Sequence, residues 1–400
     1  MKSNYDILGN HIRLIDTRNR ESITDRVLGI NIDKFFMPSV ANVIGTDLSK
    51  YKLITKGKFA CNPMHVGRDE RLPVALYDEE EPAIVSPAYF MFEVIDNSIL
   101  NEDYLMMWFR RPEFDRICWL HTDGSVRGGI TWDDICRLEL PIPPIESQLE
   151  IVNSYKAITV RIALKQKIND NLLASMEAIL DNLYSDTFGD IKLSEMEKSL
   201  APKGWEVFQL SELADCQSGY AFYKDGYDDN GTRIVDLGNI NRNAEFVEAK
   251  SDKYIAPERI LDKKYDKFRL LKNDLVMVMT DRKSTMELLG KTARIFIDEP
   301  LMLNQRVYRI RSTEYCSYLY VYLNSERVHN FHKSRALGTA QKYVNNGDIN
   351  IIPIVVPPKQ QYLKLKDFFD KSWLVMEENL LEMKSLYNLQ EQLTFMLSSR

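Results

Sequence analysis

Three short patterns in this chain have the spacing of reactive chemistry, and each stops short of it. Gly290-Lys291-Thr292 has the ending of a phosphate-cradling loop, but that loop needs a glycine five positions before Gly290, where Thr285 stands. His329 and His332 lie three apart on a predicted helix and could present two imidazoles to a metal. No glutamate or third ligand has suitable spacing, so no metal site is expected. Pro143-Pro144 is followed by Ile145-Glu146, without the Asp or Asn before and the aromatic after that an adenine-methylating tetrad uses. No glycine-rich cofactor turn follows a strand-like run, and no serine or cysteine has a nucleophile's surroundings. The expectation is a non-catalytic chain whose chemistry is binding.

Charge narrows what it binds. The formal net charge is −6, which argues mildly against nucleic acid. Its distribution is uneven: residues 1–144 hold 17 basic and 22 acidic side chains, residues 201–357 hold 23 and 21. Arg327, Lys333, Arg335 and Lys342, with His329 and His332, lie in a stretch from Arg327 to Gly347 that has no carboxylate. Such a run is a solvated face or a contact with DNA phosphates. With 44% hydrophobic and 28% charged residues, the 400-residue chain reads as a globular protein of two or three domains. No apolar run reaches the ~18 residues of a membrane span. The first residues lack a signal peptide's apolar core, and the five cysteines are odd in number and widely spaced. A reducing, cytoplasmic location without a zinc pair is therefore expected.

The elements that must position any binding residues are written twice. At an offset of 214, Tyr104-Leu105 maps onto Tyr318-Leu319, Gly124-Ser125 onto Gly338-Thr339, Asp134-Ile135 onto Asp348-Ile349, and Pro143-Pro144 onto Pro357-Pro358. The register then slips by one, taking Gln148 to Gln361. Upstream, Lys56–Phe59 parallels Lys272–Leu275 at 216, and Pro82 and Ser86 parallel Pro300 and Asn304 at 218. Drifting offsets indicate loop insertions in a shared scaffold. Strand-like alternation is predicted at Tyr89–Phe92, Leu275–Met279 and Val307–Ile310, and one helix over Tyr104–Phe114 corresponds to one over Tyr318–Phe331. Between these elements the modules diverge: Cys61–Leu72 has no likeness to Met279–Lys291. Two scaffolds of one kind with dissimilar loops suggest two sites that recognise different things.

Each module is followed by a long amphipathic helix introduced by Pro-Pro. Ile151, Tyr155, Ile158, Ile162, Leu172, Met176, Ile179 and Leu183 step by three and four, with Lys165 and Asn169 on the same seam. Near the C-terminus, Tyr362, Leu365, Phe369, Met376, Met383, Leu386, Leu393 and Leu397 repeat the pattern, with Ser372 and Asn379 as polar interruptions. Neither stripe can be buried alone, so the two helices are expected to pair, and the polar positions to fix their register. From Leu149 to Tyr184 such a helix would be about 54 Å long. The expected fold class is α+β: two similar mixed α/β domains separated by a long antiparallel two-helix coiled coil, an internal pseudo-two-fold repeat. Its expected boundaries are 1–145, a helix at 146–187, a linker at 188–203, a second domain at 204–357 and a helix at 358–400.

These features converge on a family. Gly124–Gln148 and Gly338–Gln361, each carrying the Gly-[Ser/Thr] turn, Asp-Ile, Pro-Pro and a nearby Gln before a long helix, resemble the specificity subunit of type I restriction–modification systems. Pro202-Lys203-Gly204-Trp205-Glu206 resembles that family's usual module opening. One departure is Gly128-Gly129, where Lys342-Tyr343 keeps the usual bulky pair. The resemblance implies a non-catalytic DNA-reading subunit with two target recognition domains, each reading one half of a split, asymmetric sequence. It implies partners as well: double-stranded DNA, two methyltransferase subunits that hold S-adenosylmethionine and methylate adenine N6, and a restriction subunit using ATP and Mg where one joins. The rival reading is an adaptor that displays two protein-binding modules on a coiled coil.

Base reading needs Arg, Lys, Asn, Gln, Ser or Thr on loops that reach groove edges, while phosphate contacts set the register. The candidates in the first module are Arg68, Arg71, Ser125 and Arg127. In the second they are Arg282, Lys283, Ser284, Thr339, Gln341 and Lys342. A ~54 Å spacer spans at most about 16 base pairs, so the half-sites should lie within a turn or two of each other.

Overall fold

A computed structural model describes residues 5–40, 45–64, 66–122, 128–249, 252–282, 285–339 and 341–396. The chain divides into two compact units, residues 1–163 with 383–400 and residues 164–382, and the division falls within both long helices.

The first unit holds strands β1 (Tyr5–Ile7), β2 (Ile12–Leu14), β3 (Val27–Ile30), β4 (Phe36–Pro38), β5 (Lys52–Ile54), β6 (Phe59–Cys61), β7 (Val74–Leu76), β8 (Ala83–Val85), β9 (Phe90–Val94) and β10 (Glu139–Pro141). Its short helices are α1 (Val66–Asp69), α2 (Glu102–Phe109), α3 (Pro112–Leu120) and α4 (Trp132–Cys136). The long helix α5 (Ile145–Phe188) follows. The second unit holds β11 (Glu206–Gln209), β12 (Asp215–Ser218), β13 (Thr232–Val235), β14 (Lys253–Ile255), β15 (Arg269–Leu270), β16 (Leu275–Val278), β17 (Thr280–Asp281), β18 (Thr292–Arg294), β19 (Leu301–Leu303), β20 (Val307–Arg311), β21 (Lys342–Tyr343) and β22 (Pro353–Val356). Its helices are α6 (Leu210–Leu213), α7 (Cys316–Asn324), α8 (Glu326–Arg335), α9 (Asn346–Asn350) and the start of the long α10 (Lys359–Met396).

The duplication is a duplication of topology. In the first unit the sheets run β1-β10, β2-β9-β6-β7 and β4-β3-β8-β5; in the second, β11-β22, β12-β20-β16-β18 and β14-β13-β19-β15. Even the one parallel pairing in these sheets recurs, β3 with β8 and β13 with β19. The repeated residues have structural jobs. Tyr104 on α2 donates to the Pro141 carbonyl at 3.1 Å, and Tyr318 on α7 donates to the Val355 carbonyl at 2.5 Å. Both bonds tie a buried helix to the last strand of its module. Asp134 and Asp348 occupy the third position of a short helix whose N-cap side chain, Thr131 or Asn345, accepts from their backbone N–H. The isoleucine after each aspartate is buried.

Two expectations need correction. Each predicted mid-module helix is a pair of helices. Arg111, extended at ψ 140°, precedes Pro112 at the first turn of α3, because the residue before a proline is pushed out of helical geometry. Ser325, extended at ψ 151°, ends α7 and caps α8 through Val328 N–H. The one-residue slip at Gln148 is also absent. Gln148 is buried, accepts from Asn101 N–H and donates to the Ile99 and Pro143 carbonyls. Gln361 is exposed, and Tyr362, still at offset 214, donates instead to the Glu314 carbonyl at 2.9 Å. The register is unbroken, and a tyrosine stands in for the glutamine.

The long helices pair antiparallel in each unit. In the first, Gln390 Nε2 on α10 donates to Thr159 on α5 at 2.8 Å. In the second, Ile162's successors on the seam form a polar cluster: Lys165 Nζ meets Asn379 Oδ1 at 2.8 Å and Glu382 at 2.6 Å, and Asn379 Nδ2 donates to Asn169 at 2.8 Å. Asn169 and Asn379 are buried, so both need these partners. Ile162, Leu365, Met376 and Met383 are buried and Ile158 and Leu172 half-buried, whereas Ile151 packs on the core of the first module. Ile179 is 41% exposed, contrary to the seam assigned to it. Beyond Met176 the buried positions step by four, to Leu180, Tyr184 and Phe188, because this end of α5 packs on the module, with Phe188 edge-on to Trp205 at 5.2 Å. Leu397 lies outside the described residues.

Candidate nucleic-acid interface

In both modules the segment that follows the helix pair is pulled onto the loop that leaves the sheet's inner strand. Ile130 N–H donates to the Pro63 carbonyl at 3.2 Å; Val344 N–H, at offset 214, donates to the Met279 carbonyl at 3.0 Å. These are the same bond twice, and they join the two stretches that carry all the candidate reading residues. Around them the modules differ. In the first, Gly67 N–H bonds the Gly128 carbonyl at 2.9 Å, and a Cβ on Gly129 would lie 2.9 Å from the Pro63 carbonyl oxygen, which accounts for glycine there. In the second, β17 pairs with β21, setting Asp281 opposite Lys342 and Thr280 opposite Tyr343.

The pairing brings Arg282, Gln341 and Lys342 to one edge, with Thr339 exposed nearby in sequence. Neither Arg282 nor Lys342 has a carboxylate partner among the described residues. Lys283 and Ser284, and in the first module Ser125 and Arg127, lie outside the described residues. Arg68 and Arg71 are exposed but committed: Arg68 forms a two-pronged pair with Asp69 at 2.6 and 2.8 Å, and Arg71 pairs with Asp33 at 3.0 Å. Arg71 lines a cleft of about 690 Å³ with Arg110, Arg116 and Trp119, but Asp33, Asp69, Glu70 and Asp115 line it too.

The carboxylate-free run from Arg327 to Gly347 is less available than its composition suggests. Arg327 is held by Asp181 at 3.1 Å and stacks 4.1 Å over Tyr184; Arg335 pairs with Asp348 at 3.1 Å. His329 Nδ1 donates to the Leu289 carbonyl, and burial lowers its pKa. His332 is fully buried against Gly290, and burial pushes its pKa down to about 4. Gly290 itself sits at φ +80°, ending a turn before Thr292 enters β18 with its side chain buried, so these residues form no phosphate cradle.

A second cleft, open and about 650 Å³, lies beside β17 and β21. Ser218, Thr280, Gln305, Arg306, Gln341 and Asn346 contribute its polar lining, and no carboxylate lines it. Gln305, Arg306 and Asn346 were not among the residues singled out from sequence. A signal existed: the repeat sets Asn304-Gln305-Arg306 against Ser86-Pro87-Ala88, a change from apolar to polar in one turn.

Comparison with known proteins agrees with this architecture. The family described as type I restriction modification DNA specificity domain matches residues 202–371. The type I restriction enzyme MjaVIII specificity subunit of Methanocaldococcus jannaschii is 27% identical over 228 residues, 55% of this chain and 52% of that protein. The chain thus spans about half the length of the curated relative it matches. The crystal structure of the type I restriction-modification S subunit from M. genitalium superposes with a TM-score of 0.53 over 99% of this chain and 96% of its own, at 13% identity, a likeness of fold. Residues 202–371 thus match a type I restriction modification DNA specificity domain, and the fold of the chain is similar to that of a type I S subunit.

Proposed function

We propose that this chain is a sequence-specific DNA-binding subunit without catalysis of its own. Each module reads one half of a split, asymmetric target, and the long helices carry two methyltransferase subunits that modify adenine N6. S-adenosylmethionine belongs to those partners, and in a restriction-competent complex a translocating subunit adds the use of ATP and Mg. The observation that carries this reading is one scaffold built twice, down to the Ile130–Pro63 and Val344–Met279 bonds, with unlike polar edges mounted on it. The partner reading is supported by apolar side chains that point away from the seam: Val160, Tyr387 and Phe395 in the first unit, and Leu164, Leu374 and Leu381 in the second, are 43–66% exposed. A net charge of −6 opposes DNA, so the chain alone binds it weakly and its partners' surfaces supply the rest.

The test is to exchange Gly204–Gln341 for the equivalent segment of a relative and map N6-methyladenine in cells that express the complex. One half of the methylated sequence should change and the other persist. If both halves changed, or neither, the two-module reading would fall.

A further inference from the structure

We propose that the cleft between the 304–306 turn, β17 and the 341–347 segment is a base-reading site peculiar to the second module. Gln305, Arg306 and Gln341 there engage an acceptor-bearing base edge, that of guanine, in one half of the target. This rests on the DNA-reading function proposed above and names how one half is read.

The cleft combines one obligate donor, the Arg306 guanidinium, with hydroxyl and amide groups, two of which lack partners. Thr280 is 9% exposed, and its Oγ1 has no hydrogen-bond partner; Gln341 Nε2 is buried and likewise unpartnered. A buried polar atom left unpaired costs about 1–3 kcal/mol, so two such atoms on residues that line one open hollow point to a ligand that pairs them. Arg306 stands exposed on the rim with no carboxylate partner among the described residues. No acidic side chain lines the hollow to compete for it. Guanine presents two adjacent acceptors, N7 and O6, in the major groove; adenine pairs an acceptor with a donor, and each pyrimidine offers a single polar group. The Arg306 guanidinium, a planar fork that only donates, therefore favours guanine, and the unpartnered Gln341 Nε2 beside the cleft adds a donor.

The turn that presents Arg306 is held rigidly. Arg306 sits at φ +70°, and its carbonyl accepts from Met279 N–H at 2.9 Å. Gln305 N–H donates to the Tyr220 carbonyl at 2.8 Å. Gly219 lies so close beneath the turn that a Cβ there would fall 1.7 Å from the Asn304 carbonyl oxygen. A non-glycine residue held in a left-handed conformation by bonds on both sides is a strained, pre-positioned one.

The first module serves as an internal control. Its equivalent turn closes with the same bond, Tyr89 N–H to the Ser86 carbonyl against Val307 N–H to the Asn304 carbonyl. It carries Pro87-Ala88 where the second has Gln305-Arg306. Where the second module has exposed Asn346, the first has Trp132, packed on Phe90 at 5.9 Å and Phe92 at 5.4 Å. Among the described residues, the first module thus carries proline, alanine and an aromatic ring where Gln305, Arg306 and Asn346 stand in the second.

The test uses the chain assembled with its methyltransferase partners and a pool of randomised duplex DNA at low salt, with bound sequences read for the wild type and for Arg306→Ala, Arg306→Lys and Asn346→Trp. The wild type should select a two-part motif with a guanine in one part. Arg306→Ala and Asn346→Trp should lower the preference for that guanine about tenfold and leave the other part of the motif alone. Arg306→Lys should lose the same preference, since it keeps the charge without the planar fork. Unchanged motifs in the variants would overturn the inference and leave DNA reading intact. So would a uniform loss of binding in Arg306→Ala that Arg306→Lys restores, which marks a phosphate contact. A wild type that selects no motif would sink the DNA-reading function itself.

Discussion

His332 gives the sharpest quantitative check on the second module, because its ring is completely buried and neither nitrogen has a hydrogen-bond partner. Burial disfavours the imidazolium and lowers the pKa from 6.5 to about 4. Between those values the unfolded chain takes up a proton that the folded chain refuses. The stability tied to this group is therefore fully present above pH 6.5 and is lost as pH falls toward 4. From pH 7 down to 4.5 that loss amounts to about 2 kcal/mol. Glu177 on α5 works in the opposite direction. Burial, reinforced by Asp181 and opposed by Lys291, raises its carboxyl to about 7, so its contribution falls as pH rises from 4.5 toward 7. The two slopes oppose each other in the wild type, and removing one exposes the other. Urea titrations of the wild type and His332→Leu at pH 7, 6, 5 and 4.5 should show the variant gaining steadily on the wild type as pH falls. A difference that stays flat across the series would mean the folded protein accommodates the charged ring, and the account of a sealed, unpaired histidine would be wrong.

Two further predictions concern the helix pair and the reading edge. Asn379→Leu leaves the buried Asn169 Oδ1 without its donor and takes one of two partners from Lys165, which keeps Glu382, and should cost about 1–3 kcal/mol in thermal or urea unfolding. The double variant Asn169→Leu/Asn379→Leu should recover part of that loss; a double variant weaker than the sum of the singles would refute the reading of a shared polar cluster. Lys342→Ala should reduce the slope of log affinity against log salt by about one, as expected for one lost phosphate contact. Arg68→Ala should change the slope by less, since Asp69 already neutralises it; equal changes would mean that the Asp69 pair opens on DNA.

Much of this architecture was legible in the chain because it rests on local periodicity. Three-four spacing marks the long helices whatever they pack against, Pro-Pro marks where they begin, and the 214 offset aligns Tyr104 with Tyr318 and Asp134 with Asp348. Each pair proved to be the same hydrogen bond or the same capped turn. Local rules also overreached: apolar spacing alone ran a single helix through Arg111-Pro112, and it placed Ile179 on the seam. What composition could not convey is which charges are free. Arg327 and Arg335 look like DNA contacts in sequence, yet Asp181 and Asp348 hold them. The polar hollow beside β17 exists because residues 219, 280, 305 and 341 meet there. Helix period and repeat register are properties of near neighbours along the chain. The neutralisation of a charge and the opening of a cleft depend on atoms brought together by folding, and only the tertiary structure could decide them.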